Sequence, residues 1–409
     1  MRYFLVVVIL FLSNCNFKKK DIQFSGNWKR ILMTRELYND TIKYETPIEL
    51  LSFKADNLVF YYNQLYQYRF DPDYDSLYLQ YLDSVGTDSY VRVFKVDFID
   101  LNTMNFSVLK KMCGIHAPSG SEYLMTEFLL DYINKESKNW TVKPKIIFGG
   151  DFQDAIILVF GKPKTAIFAH IDSVGFTVGY GSKLVKIGGP QFESGYKLFG
   201  EDSQGKIECE LFVDKDGEIS YTYFREIERG TTLTFACDFK KDNGYIESCF
   251  LDNRLGVFNA LKVAETLENG IICFSCYEEH GGGSTQFLGK YIYEKFKVRN
   301  ALISDITWIT SGIQHGNGVA ISMRDSGIPR RKFLNQIIKI ANTYNVPYQL
   351  EVEDSGGSDG NVLHRSSSPF DWCFIGAAED NVHTPYEKVA INDIKSMVRL
   401  YTILMKELN

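Results

Sequence analysis

Glu278 and Glu279 stand side by side in "CFSCYEEHGGGST", where an apolar run gives way to three glycines. Other residues suited to chemistry occupy similar places in the same half of the chain. His170 and Asp172 lie in "IFAHIDSVGF", Asp252 in "CFLDNRLGVF", Asp305 in "ALISDITW" and His383 in "DNVHTPYEK". All but the last follow apolar runs, so they belong at the carboxyl ends of strands, where open α/β sheets bind ligands. One such residue alone is most simply a turn acid or an ordinary buried histidine. Several in one region point to a shared site. Carboxylates converging without cations would repel, and some would have to keep a proton. Two divalent cations relieve that cost. Imidazole and carboxylate without thiolate suit zinc, cobalt or manganese in an open catalytic site. Two ions about 3.5–4 Å apart polarise a carbonyl and acidify a shared water. Adjacent strand residues face opposite ways. Glu279 can therefore be a ligand while Glu278 acts as a general base that returns the proton to a leaving amine. Gly281, Gly282 and Gly283 let the backbone turn sharply there. His280 is the alternative ligand, although its neighbours already fill that role.

These residues need a scaffold. A chain of 409 residues is too long for one simple core and predicts two or three domains. "AIILVF", "TAIFAH", "IICFSCY", "ALISDI" and "WCFIGA" read as buried strands. "RLGVFNALKVAETLENG", "RRKFLNQIIKIANTYN" and "INDIKSMVRLYTILMKEL" read as helices, and two more flank "HAPSGS". The fold class is α/β, a mostly parallel sheet sandwiched by helices, built from residues 100–175 and 250–409. Residues 176–249 interrupt it with short strands and no helix, the pattern of an inserted small β-barrel domain. Residues 21–98 are dense in Tyr and Phe with turn punctuation, the pattern of an antiparallel β module. "FSGNWKR" at its start resembles the opening of lipocalin-like modules.

Composition narrows the partners. The chain is 45% hydrophobic and 23% charged with a net charge of -6, an ordinary folded protein with no basic stripe for nucleic acid. "MRYFLVVVILFLSNC" has the proportions of an export signal and is too short to be a spanning helix. Leu12-Ser13-Asn14-Cys15 resembles a bacterial lipobox. That resemblance implies lipidation at Cys15, with residues 1–20 as signal and tether and the protein anchored to a membrane of the cell envelope. Seven cysteines remain after Cys15, an odd number that argues against a systematic disulfide framework. Cys273 and Cys276 read as buried small hydrophobes, because strand positions three apart point to opposite faces.

The order AHxD, LDNR, EEHGG, SD, HTPxE is similar to the co-catalytic metallo-aminopeptidases that include the glutamyl, deblocking and tetrahedral aminopeptidases, some of them labelled endoglucanases. The resemblance covers roughly residues 104–408, inserted β domain included. It implies that His170, Asp252 and Asp305 hold one ion and that Asp252, Glu279 and His383 hold the other. Asp172 would orient His170, and Glu278 would be the base. "DSGGSDGN" is similar to the family's substrate-side loop, which implies substrate roles for Ser358 and Asp359. "GVAISMRD" implies the same for Arg324 and Asp325. Ser173 and "HGGGST" depart from the family pattern at the expected mouth of the site. The resemblance also implies a peptide substrate and a homo-oligomer. The resulting expectation is a metal-dependent aminopeptidase. A glycoside hydrolase would leave His170, Asp305 and His383 without a purpose. A catalytically inactive peptide- or metal-binding lipoprotein would need a ligand or base to be missing.

Overall fold

The structure, a computed structural model, describes residues 104–409 throughout; of residues 1–103 it describes the backbone of eight strands between Gly26 and Lys95. Cys15 and the expected signal lie outside the described residues. The chain divides into two compact units, Met1–Asn105 and Phe106–Asn409. In the first, the strands Leu51–Lys54, Leu58–Tyr61, Gln64–Asp71, Ser76–Tyr81 and Val91–Lys95 pair in succession as an antiparallel meander, with Gly26–Trp28 on the outer edge. In the sequence, "ADN", "PDYD" and "DSVGTDS" stand between consecutive strands.

The second unit is built on a mixed sheet. Its centre is parallel: Gly270–Ser275, Thr165–His170, Asn300–Trp308 and Asp371–Asp380 lie side by side. The first two are buried along their whole length, which is why they read as unbroken apolar runs. Both flanks are antiparallel, with Ile156–Phe160 and Lys145–Phe148 on one side and Glu387–Ala390 and Tyr245–Ser248 on the other. The sheet is therefore less uniformly parallel than the apolar runs alone predict. Only residues 149–155 separate Lys145–Phe148 from Ile156–Phe160, too few for the crossover that a parallel pair needs. Two helix groups cover the central strands: Leu251–Ala264 with Ile391–Glu407, and Gly283–Phe296 with Asp359–His364.

The inserted sheet has six antiparallel strands, from Gly175–Val178 to Thr232–Phe235. A bridge between Lys183 and Ser220 brings its two ends together, so it nearly closes into a barrel. Gly205–Val213 alternates faces and buries Ile207, Cys209 and Leu211 with Phe176, Leu198, Leu233 and Phe235. The insertion ends sooner than the expected residue 249. Tyr245–Ser248 pairs with Glu387–Ala390 and so belongs to the main sheet. Short strands with turn punctuation look alike in either sheet, and only the pairing partner separates them.

Candidate metal centre

His170 closes its strand. The parallel register Thr165↔Asn300 to Phe168↔Ile303, continued by two residues, sets His170 level with Asp305. Asp305 does not follow its strand, as the sequence predicts, but lies inside Asn300–Trp308, which stays paired with Asp371–Asp380 as far as Trp308↔Glu379. Gly376 lies opposite Asp305, and a Cβ there would come within 2.5 Å of the Asp305 carbonyl oxygen. The close approach of the two strands at the site needs glycine.

Asp252 also differs from expectation. It sits in the first turn of Leu251–Ala264 and not behind an apolar strand; Phe250, before that helix, has φ 61°, and Asp252 and Asn253 have non-helical dihedrals. Glu387 holds this irregular backbone: its carboxylate accepts from Asp252 N at 3.2 Å and from His383 N at 2.9 Å. One buried acid thus positions two site residues. Its signal was the "HTPYE" wording, though only His383 was assigned a role from it.

Glu278 and Glu279 lie in the turn after Gly270–Ser275, so strand alternation does not separate them. The turn does. Tyr277 has φ 64°, and Gly281 and Gly282 have φ 112° and 68°, values glycine adopts freely. Asp172 organises this turn from below. Its Oδ1 accepts from Glu278 N and its Oδ2 from Glu279 N, each at 3.1 Å, and Ser119 Oγ donates to Oδ2 at 2.6 Å. Asp172 Oδ1 also stands 3.4 Å from His170 Nδ1, which directs Nε2 of that ring at the centre. Glu122 adds a second anchor by accepting from Tyr277 N at 3.1 Å. Sequence reasoning gave Glu122, Ser119 and the fully buried Arg254 no role in the site. Arg254 donates to the carbonyls of Ile171 and Asp172.

These elements converge on two donor sets, His170–Asp252–Asp305 and Asp252–Glu279–His383, whose ligand atoms lie within 4.8 Å of one another in each set. His170 Nε2 is 3.2 Å from Asp252 Oδ1 and 3.6 Å from Asp305 Oδ2. His383 Nε2 is 3.2 Å from Asp252 Oδ2 and 3.1 Å from Glu279 Oε2. Asp252 therefore gives one oxygen to each set. Burial pushes Glu278, Glu279 and Asp305 up from the usual carboxylate range. Against its own burial, Asp252 is held low by the two imidazoles. His383, despite burial, is pushed up to about 12 by Glu279 and Asp252. Glu279 Oε1 is buried with no hydrogen-bond partner. Three carboxylates and two imidazoles, one aspartate shared and one oxygen orphaned, fit a pair of divalent cations.

A cavity of about 260 Å³ opens on these residues, lined also by Glu278, Trp308, Asp325, Glu351, Glu353 and the loop residues 355–357. Three expected substrate residues are not on its wall. Ser358 is buried and caps Asp359–His364, its Oγ accepting from Gly360 N. Asp359 is buried and accepts from Ser275 Oγ and Thr285 Oγ1, tying the strand before the catalytic turn to the helix after it. Arg324 turns its Nε to the Asp325 carbonyl, and it is Asp325 that faces the cavity. Ser173 is buried as well, donating to the Ala117 carbonyl. His280 belongs to neither donor set, and its Nδ1 accepts from Gly188 N.

Residues 203–400 match the family model described as M42 glutamyl aminopeptidase. A putative aminopeptidase of Acetivibrio thermocellus is 25% identical over 331 residues, covering 72% of this chain and 96% of its own. The fold is shared with aminopeptidase APDkam598 of Desulfurococcus kamchatkensis, with a TM-score of 0.64 at 19% identity over 74% of this chain and 94% of that one. A TET aminopeptidase from the Thaumarchaeota archaeon SCGC AB-539-E09 gives 0.66 at 16% identity over 74% and 97%. The TET1 peptidase of Pyrococcus horikoshii gives 0.60 at 21% identity over 73% and 98%. The protein is an enzyme, a peptidase of the aminopeptidase type.

Proposed function

We propose that this peptidase removes N-terminal residues from peptides at a centre that takes two divalent cations, zinc in the first place and cobalt or manganese as alternatives. The observation that carries the proposal is Asp252, one oxygen of which faces the His170 set and the other the His383 set. His170, Asp252 and Asp305 would hold one cation and Asp252, Glu279 and His383 the other. Bound there, the cations supply Lewis acidity to a peptide carbonyl and to water. The protein residues do the rest. Glu278, raised by burial, is matched to taking a proton from the attacking water and passing it to the leaving amine. Asp172 holds the backbone of Glu278 and Glu279 and the ring of His170 together, so base and ligands keep one geometry. Asp325, Glu351 and Glu353 make the remaining wall acidic, which suits the ammonium of a peptide N-terminus.

The Pyrococcus horikoshii peptidase assembles, by its own description, into a tetrahedron or a large octahedral shell. A homo-oligomer is proposed here on that likeness. Lipidation at Cys15 and attachment to the cell envelope are proposed from the sequence of residues 1–20. No helix among the described residues is long and apolar enough to cross a membrane.

Purified protein given zinc, cobalt or manganese should cleave aminoacyl chromogenic substrates and shorten peptides from the N-terminus. Glu278→Gln should keep its metal and lose turnover. A Glu278→Gln enzyme working at the parent rate would overturn the assignment of the base. Metal-loaded parent enzyme that leaves every peptide of a broad library intact would overturn the activity itself.

A further inference from the structure

The two histidines of the candidate centre are oriented by different parts of the chain. For His170 the partner is Asp172, two residues on, with its carboxylate 3.4 Å from Nδ1. For His383 it is the inserted barrel. The loop that leaves the barrel strand Leu184–Ile187 begins Gly188-Gly189-Pro190-Gln191. The Gly189 carbonyl stands 3.1 Å from His383 Nδ1. A carbonyl can only accept, so this bond puts the proton on Nδ1 and leaves Nε2, beside Asp252 and Glu279, as the ligand atom. His383 has φ 63°, a conformation rare for any residue but glycine. It is gripped from both ends: Glu387 accepts from its N–H, and Gln191 N donates to its carbonyl at 3.0 Å. The same loop reaches the catalytic turn. Gly188 N donates to His280 Nδ1 at 3.1 Å. A Cβ at Gly188 would come within 3.0 Å of the Glu279 carbonyl oxygen, and φ there is 69°, so only glycine fits without strain.

We infer that the barrel loop 188–191 is the positioning element of one cation site and not of the other. It holds the ring and backbone of His383 and packs on the backbone of Glu279, two of the three ligands in the Asp252–Glu279–His383 set. Among the described residues it makes no hydrogen bond with His170 or Asp305. The His170–Asp252–Asp305 set is held instead by Asp172 and by the register of the main sheet. A ligand whose orientation is not fixed beforehand must be ordered when the ion binds, and that cost appears as lost affinity. Displacing the loop should therefore weaken the second site and spare the first. This division presupposes the two cations proposed above and adds that their sites depend on different parts of the fold. The insertion, which separates His170 from Asp252 in the sequence, returns through this loop to complete the centre.

Calorimetric zinc titration of the metal-stripped full-length protein reads the sites without turnover. Parent protein should bind two cations. In Gly188→Ala the added methyl pushes the loop off the Glu279 backbone. One cation should then bind as in the parent and the other about 10–100-fold more weakly. Zinc anomalous scattering from crystals of this variant at limiting metal should show the ion beside His170 fuller than the ion beside His383. His280→Ala removes the acceptor of Gly188 N at an exposed residue and should weaken one cation by a smaller factor. His280→Asn, whose Oδ1 can accept in place of Nδ1, should restore it. Variants that bind both cations as tightly as the parent, or lose both alike, overturn the role of the loop. A weakened ion found beside His170 does the same. Parent protein that takes up a single cation overturns the two-cation reading and this inference together. The His280 pair decides the matter if Gly188→Ala fails to fold.

Discussion

The candidate metal centre and the inserted barrel use acidic side chains in opposite ways. On the barrel, Glu210 and Glu218 pair with Lys197 and Lys183 at an exposed surface, where water screens the charges and each pair contributes little. At the metal centre, Asp252, Glu279 and Asp305 are gathered into a buried site beside two imidazoles. Backbone N–H groups and a neighbouring acid hold that assembly at a cost in desolvation that bound cations would relieve. Charge that decorates one region therefore defines the other. The barrel rests on apolar alternation, the centre on electrostatic balance, and perturbations should separate the two.

Chelation should have the largest effect. It should abolish peptide hydrolysis, and zinc, cobalt or manganese should restore it, while circular dichroism reports a barrel still folded. Glu278→Gln should follow, with turnover reduced by about 10²–10⁴-fold, the range for a lost general base, and metal content unchanged. Asp172→Asn keeps the size of the side chain but weakens its hold on His170 and on the catalytic turn. Metal titration should read an affinity about 10–100-fold lower. In the barrel, Leu233→Ala should cost about 2–5 kcal/mol in denaturant unfolding and leave the rate per folded molecule near that of the parent. Hydrolysis lost in proportion to metal content in that variant would merge the two regions. The smallest effect belongs to the barrel pair of Asp202 and Arg225, whose guanidinium meets both carboxylate oxygens at 2.6 and 2.8 Å. Arg225 brings the Asp202 carboxyl down to about 2. The stability it lends is present above the ordinary carboxylate value near pH 4 and is lost as the pH falls through about 2. Parent and Arg225→Gln should thus differ slightly in acid titrations at pH 5 and converge below pH 2.

Strand identity was legible where burial on both faces demanded it. Thr165–His170 and Gly270–Ser275 read as continuous apolar runs because no side of them meets water. Alternation in Gly205–Val213 revealed the barrel for the opposite reason, one face wet and one dry. The orientation of Ser358 and Asp359 was not legible. A loop rich in Gly, Ser and Asp has the same composition whether its side chains meet substrate or cap a helix. Here Ser275 and Thr285, distant in sequence, hold Asp359 inward.

The order of residues along the chain was enough to nominate the acids and imidazoles, since few other roles account for so many of them beside apolar strands. It was also enough to point to cations, because like charges brought together in a low dielectric cannot all remain ionised unaided. Which oxygen of Asp252 meets which histidine depended on strand register and on an irregular helix start secured by Glu387. The same holds for the end of the barrel before Tyr245–Ser248, which pairs with Glu387–Ala390. Pairings of this kind join positions far apart in the chain, and local propensity carries no information about a partner until the backbone has closed around it.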